Sequence, residues 1–219
     1  MVLIGGTSNT GKSTLAREVA GRLGFDCLST DGLARHPGRP WPTPEWEVPP
    51  HVDEHYRSLT VDELITSVLD HYQRLWPRIE ELITAHADAA TGRAGLVLEG
   101  SALWPTSVAK LAVPYTAAVW LTADECVLSA RMRTASDYGR MSAHDRRLVD
   151  KFLARTLRYQ TLMLDAVARL GLDRVDTGRG GSPEKLAEAV LGAAAAQNAV
   201  GRSAILVLKR HLLRRRPPQ

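Results

Sequence analysis

The sequence is poor in several features that would settle its class at once. It has two cysteines, Cys27 and Cys126, far apart and each inside an apolar stretch. That excludes a disulfide framework and any zinc-type cysteine spacing, and it predicts reduced core thiols in a cytoplasmic protein. No apolar run approaches the roughly 20 residues that cross a bilayer, so no membrane span is expected. Met1-Val2-Leu3-Ile4 runs into the first glycines without a basic leader, so no signal peptide is expected. Aromatics make up 5% of the chain, yet five of them are Trp. No internal repeat is present.

What remains is ordinary globular material. Of 219 residues, 44% are hydrophobic and 24% charged, which suits one domain with a real core and room for an insertion. The net charge of +4 comes almost wholly from Arg. It suits a polyanionic ligand, and equally the base content of an Arg- and Ala-rich genome, so charge alone selects no function.

Short apolar runs alternate with segments of helical period. Val2-Leu3-Ile4 is a strand, and Leu15, Val19 and Leu23 mark a helix closed by Gly24. Cys27 to Thr30 is a second strand ending at Asp31, after which His36 to His51 has no period and reads as a loop or lid. Thr60 and Glu63 form a capping box for a long helix, kinked or broken at Pro77. Strands follow at 95–100 and 117–121, with Thr122 and Glu125 capping the next helix. Ser142 and Asp145 open another, a strand lies near 174–176, and Ser182-Pro183-Glu184 starts the last helix. Alternation of this kind predicts the α/β class, a parallel sheet covered on both faces, with the site along the C-terminal edge of the strands.

Gly6-Thr7-Ser8-Asn9-Thr10-Gly11-Lys12-Ser13 matches the phosphate-binding P-loop pattern in full, and it stands where that pattern belongs, between a strand and a helix. A triphosphate needs many donors on one concave surface. Successive backbone N–H groups at a helix N-terminus supply them, provided glycines keep side chains out of the way. Nucleotide binding is therefore assigned to Gly6 through Thr14. Lys12 brings a point charge to the β- and γ-phosphates, and the Ser13 hydroxyl is a ligand for Mg2+. Asp31 stands at the strand edge where the γ-phosphate lies, placed to take the proton of an attacking hydroxyl; capping of the next segment is the alternative. Glu99 ends the third strand on the same edge, as a Mg2+ ligand or a substrate contact.

The runs Gly5 to Thr14, Ser29-Thr30-Asp31 and Leu98-Glu99-Gly100 together resemble the small P-loop kinases grouped around 2-phosphoglycerate kinase, the zeta toxins and chloramphenicol phosphotransferase. The likeness covers roughly residues 1–35 and 94–180. It implies a three-layer α/β/α core with five parallel strands ordered 2-3-1-4-5, and Asp31 as general base. It further implies a substrate-binding insertion after the second strand, at about residues 32–93, and an Arg-bearing lid after the fourth, at about 131–147. Arg131 and Arg133 are the first candidates to stabilise the transferring phosphoryl group, with Arg140 a further substrate contact. An exposed helix face in an Arg-rich chain would look similar. Lys151-Phe152, Arg155 and Tyr159-Gln160 faintly resemble the phosphoglycerate kinase pattern.

Other features stay open. Arg35, with His36 and Arg39, either binds an anionic acceptor or is screened surface charge. Trp41 and Trp46 either stack on the acceptor or pack the loop onto the body. His51-Val52-Asp53-Glu54-His55 fits an inverted zinc-protease pattern but lacks a third ligand, and reads as part of the insertion. The basic segment 201–219 is a tail beyond a single domain spanning 1–200. The expected activity is transfer of the γ-phosphate of ATP, or another nucleoside triphosphate, with Mg2+, to a hydroxyl of a small molecule. Rivals are a nucleoside or nucleotide kinase and a P-loop switch associated with nucleic acid. Asp31 at the acceptor edge argues against the switch, so nucleic acid is not expected as a partner.

Overall fold

Every residue of β1 (Val2–Gly6) is buried, as the centre of a parallel sheet covered on both faces requires. The computed structural model describes the chain except residues 35, 44–45, 88–94, 179 and 214–219, and gives the backbone alone for 200–213. Around β1 lie β2 (Asp26–Ser29), β3 (Leu96–Glu99), β4 (Ala117–Thr122) and β5 (Asp173–Asp176), all parallel, in the order β2-β3-β1-β4-β5.

Side chains of successive strand residues leave on opposite faces, so the apolar runs feed two separate cores. Val2, Ile4, Val97, Val119 and Leu121 pack against α1 (Lys12–Leu23) and α7 (Pro183–Leu213), through residues such as Leu15, Val19 and Val190. Leu3, Leu96, Leu98 and Trp120 pack against α3 (Val61–Ala87), the short α4 (Pro105–Val108) and α6 (Ala143–Arg169), through residues such as Val68, Ile79, Val108, Tyr159 and Met163. The result is a three-layer α/β/α fold. The segment after β2 is thus more than an appendage, because α3 forms part of one layer. A third cluster joins Trp41, Val52 and Tyr56 to Met132, Leu148 and Phe152, and it docks α2 (Pro50–Ser58) and the irregular loop onto α5 (Glu125–Ala135) and α6.

Local signals explain most boundaries. The Thr60 hydroxyl accepts the Glu63 N–H at 3.3 Å, while the Glu63 carboxylate accepts the Thr60 N–H at 2.8 Å, a reciprocal cap. Ser142 caps α6 by accepting the Asp145 N–H at 3.1 Å. Pro77 lies inside α3, which runs on as one 27-residue helix. The helix after β4 is entered through Asp124, without a side-chain cap bond, rather than through Thr122, which still belongs to the strand.

Both cysteines are exposed, which corrects the expectation of core thiols. β2 is an edge strand, and its residues from Asp26 to Leu28 face solvent. Cys126 sits in the first turn of α5, whose buried residues are Leu128 and Met132. An apolar neighbourhood in sequence does not bury a residue on an unpaired edge. No helix among the described residues is long and apolar enough to cross a membrane. Backbone helix continues through 201–213; the side chains of the basic segment, and residues 214–219, lie outside the described residues.

Candidate active site

The P-loop occupies the turn from β1 into α1. Gly6 has φ 140°, and a Cβ there would meet the Leu121 carbonyl oxygen at 2.7 Å, so only glycine lets the chain leave the sheet at this point. Two buried threonines then tie the loop down from beneath. Thr10 donates to the Thr7 carbonyl at 2.9 Å, and Thr7 donates to the Thr156 carbonyl on α6 at 3.2 Å. Gly11 precedes α1 without a side-chain cap bond, and the first turn of that helix has no acidic residue. Its leading N–H groups are therefore left for an anion.

The loop forms one wall of a cleft of about 520 Å³, through Ser8, Asn9, Gly11, Lys12, Ser13 and Thr14. The Lys12 ammonium donates to the Thr7 carbonyl at 2.8 Å. Burial lowers its pKa, and the nearby Glu99 and Asp31 charges oppose that shift. Ser13 Oγ donates to Glu99 Oε1 at 2.9 Å. Glu99 is buried at the end of β3, with Ile4 of β1 and Ser29 of β2 as its register partners. Asp31 is exposed in a short 3-10 turn (Thr30–Gly32), where its N–H is accepted by Ser29 Oγ at 3.3 Å. A Cβ on Gly100 would overlap Thr30 Oγ1, so glycine there lets the ends of β2 and β3 close together. Lys12, Ser13, Asp31 and Glu99 all line the cleft.

A Mg2+ ion arriving with nucleotide prefers hard oxygen donors. A hydroxyl and a carboxylate already in contact beside the phosphate loop fit that preference. Among the described residues no group of three or more His, Cys, Asp or Glu side chains could hold a metal, so most ligands would have to come from phosphate and water.

The remaining sequence candidates are dispersed. Arg131 lies against the back of the P-loop, donating to the Asn9 carbonyl at 3.2 Å and to Thr177 Oγ1 and its carbonyl at 3.2 and 2.7 Å. Thr177 in turn donates to the Thr10 carbonyl at 3.0 Å. Arg133 is exposed, its guanidinium 5.0 Å from the Tyr138 ring, and Arg140 faces Asp137 at 3.6 Å, also exposed. The structure brings neither Arg133 nor Arg140 to the cleft wall. Arg35 lies outside the described residues. Trp41 lines the cleft but is 1% exposed and packed edge-on against Phe152 at 5.1 Å.

One residue that the sequence offers only through its resemblance to the phosphoglycerate kinase pattern, with no role attached, stands in the cleft. Arg155 lines the cleft from α6, 6% exposed, its guanidinium stacked 4.8 Å from Phe152 and donating to the Tyr56 hydroxyl at 3.0 Å. The readable signal was an arginine on the apolar face of an amphipathic helix, one turn from Phe152 and Tyr159. Thr177 gave no comparable signal, because its role depends on a turn that only the fold defines.

No protein-family model and no curated protein matches the chain. Solved structures do match in shape. A sugar kinase from Janibacter sp. HTCC2649 aligns with 20% identity over 91% of this chain and 96% of its own, with a TM-score of 0.53. Shikimate kinase from Aquifex aeolicus vf5 aligns with 12% identity over 91% and 98%, with a TM-score of 0.52. At such identity the likeness speaks for architecture, and the architecture is plain: this chain has the P-loop kinase fold, five parallel strands ordered 2-3-1-4-5 between helical layers.

Proposed function

We propose that the protein is a cytoplasmic small-molecule kinase that transfers the γ-phosphate of ATP to an acceptor hydroxyl. One observation carries this reading: the uncapped helix end with Lys12, the Ser13–Glu99 contact and the exposed carboxylate of Asp31 line a single cleft. A carboxylate at that edge can take the proton of an acceptor hydroxyl, which favours transfer over a nucleotide switch. The ends Ser29-Thr30-Asp31 and Leu98-Glu99-Gly100 support a place near the 2-phosphoglycerate kinase, zeta toxin and chloramphenicol phosphotransferase group.

In this mechanism the loop amides and Lys12 hold the triphosphate, with the Lys12 ammonium exchanging its Thr7 carbonyl for phosphate oxygen. Ser13 and Glu99 would hold Mg2+, which when bound neutralises charge on the β- and γ-phosphates. Asp31 accepts the proton of the acceptor hydroxyl. The acceptor oxygen bonds to the γ-phosphorus as the bond to the β,γ-bridging oxygen breaks, releasing ADP. Arg131 anchors the loop that grips the phosphates.

The test is a purified sample given ATP, Mg2+ and a broad panel of hydroxyl compounds, with phosphorylated product read by mass spectrometry. Product dependent on both Lys12 and Asp31 is expected. Absence of any product, together with an ATPase rate unchanged in Asp31→Asn, would sink the proposal.

A further inference from the structure

Arg155 is a buried cation in want of an anion. Among the described residues no carboxylate pairs with it, and its one hydrogen-bond partner is the neutral Tyr56 hydroxyl. Among the described residues its buried Nε has no partner, nor have Trp41 Nε1, His55 Nε2 and His71 Nε2 in the same quarter of the molecule. A guanidinium that has lost its water without gaining a counter-ion is costly. Such a group persists where a ligand completes it, and its planar fork matches the two oxygens of a carboxylate or phosphate.

Arg155 faces the cleft from α6, one residue before Thr156, whose carbonyl accepts the Thr7 hydroxyl of the phosphate loop. Phe152 and Tyr56, which touch it, and Trp41, packed on Phe152, come from α6 and from the segment after β2. The charges that act on Lys12 are those of Glu99 and Asp31, whereas His36 and His55 respond to Arg155. Tyr72, its pKa raised by burial, feels both the Arg155 and the Asp31 charges, so the guanidinium and the carboxylate share one space, lined also by His36 and Ser101.

We propose that Arg155 receives an anionic group of the acceptor, so that the substrate class is a hydroxy acid or a phosphorylated alcohol whose free hydroxyl reaches Asp31. The proposal rests on the kinase reading for the identity of its occupant. His36 and Ser101 would add neutral hydrogen bonds around the anion, while Trp41 and Phe152 hold Arg155 against solvent.

The experiment is calorimetric titration of the protein loaded with Mg2+ and a non-hydrolysable ATP analogue. The probes are inorganic phosphate, D-glycerate and glycerol 3-phosphate, with methyl glycerate and glycerol as neutral counterparts. The anions should bind and the neutral compounds should not. Arg155→Gln should weaken anion binding by about tenfold or more, and Arg155→Lys, which keeps the charge but not the fork, should fall between. Phosphate against glycerate distinguishes a phosphorylated acceptor from a carboxylic one. Far-ultraviolet circular dichroism checks that each variant folds, and Arg155→Lys decides the matter if Arg155→Gln does not. The proposal is overturned by neutral probes binding as well as anions, by no anion binding at all, or by anion affinity indifferent to both variants. A loss of ATP-analogue affinity on Arg155→Lys would instead assign the residue to the γ-phosphate. Failure of the analogue to bind the unaltered protein strikes the kinase reading itself, and is seen separately in the loading step.

Discussion

Ser13 Oγ and Glu99 Oε1 meet at 2.9 Å although 86 positions separate them in the chain. The sheet order makes the contact, since β3 lies beside β1 and brings its last residue to the start of α1. Glu99→Gln keeps the shape and removes the charge. It should raise the Mg2+ concentration for half-maximal turnover by about tenfold, with little change in nucleotide affinity at saturating Mg2+. A Mg2+ titration of initial rates measures this, and an unchanged midpoint would mean that Glu99 serves the acceptor instead.

Lys12 is tied to the carbonyl of Thr7, within the loop that it serves. Removing it therefore leaves the core intact while deleting the charge nearest the phosphates. Lys12→Met should lower turnover by about 100-fold or more with an unfolding midpoint close to that of the parent protein. Nucleotide titration and thermal unfolding, run side by side, separate the two effects.

Asp31 is exposed and its own backbone is held by Ser29, so its carboxylate is free to change without disturbing β2. Asp31→Asn should cut kcat for acceptor phosphorylation by roughly 100-fold to 10,000-fold and leave ATP affinity as it was. A variant that keeps full kcat would return Asp31 to the role of a turn residue.

The P-loop and the two carboxylates were legible because each is a local signature: glycines at fixed offsets, and an acidic residue where an apolar run stops. The sheet and its layers followed from alternation, and the strand order came with the family resemblance. Side-chain direction was not legible. Cys27 and Leu28 lie in an apolar run, yet the edge position of β2 exposes both. Arg131 and Arg133 are two residues apart on α5, so they leave the helix in different directions. One reaches Asn9 and Thr177, and the other lies over Tyr138. Arg155 stands in the sequence within a resemblance, but its role is not legible there, since its surroundings are assembled from the aperiodic segment after β2 and from α6.

Trp41 anchors that aperiodic segment. It is 1% exposed and packs edge-on against Phe152 in a cluster with Tyr56, Leu64 and Met132. Trp41→Ala should cost about 3–5 kcal/mol of stability, read as a lowered urea midpoint. Among the described residues its buried Nε1 has no hydrogen-bond partner, so Trp41→Phe forfeits volume but no polar contact seen there and should cost clearly less. Equal losses in the two variants would show that the indole nitrogen is bonded in solution.

His36 should make the protein acid-sensitive. Its ring lies edge-on to His55 and His71, with centroids at 5.2 and 5.4 Å, and its Nε2 is 3.1 Å from Ser67 Oγ. Burial first, and then the Arg155, His55 and His71 charges, push its pKa down to about 3, against about 6.5 for an unfolded histidine. Above about pH 6.5 the ring is neutral in both states and stability does not respond to pH through it. Between about 6.5 and 3 the unfolded chain takes a proton that the folded one refuses, so stability falls as pH falls, by at most about 1.4 kcal/mol per unit. His55, shifted in the same direction by burial and Arg155, adds to the trend. Urea unfolding at pH 7, 6, 5 and 4 should therefore show a steeper acid limb in the parent protein than in His36→Gln. Parallel limbs would mean that His36 is already protonated in the folded state, which a counter-anion seated between it and Arg155 would bring about.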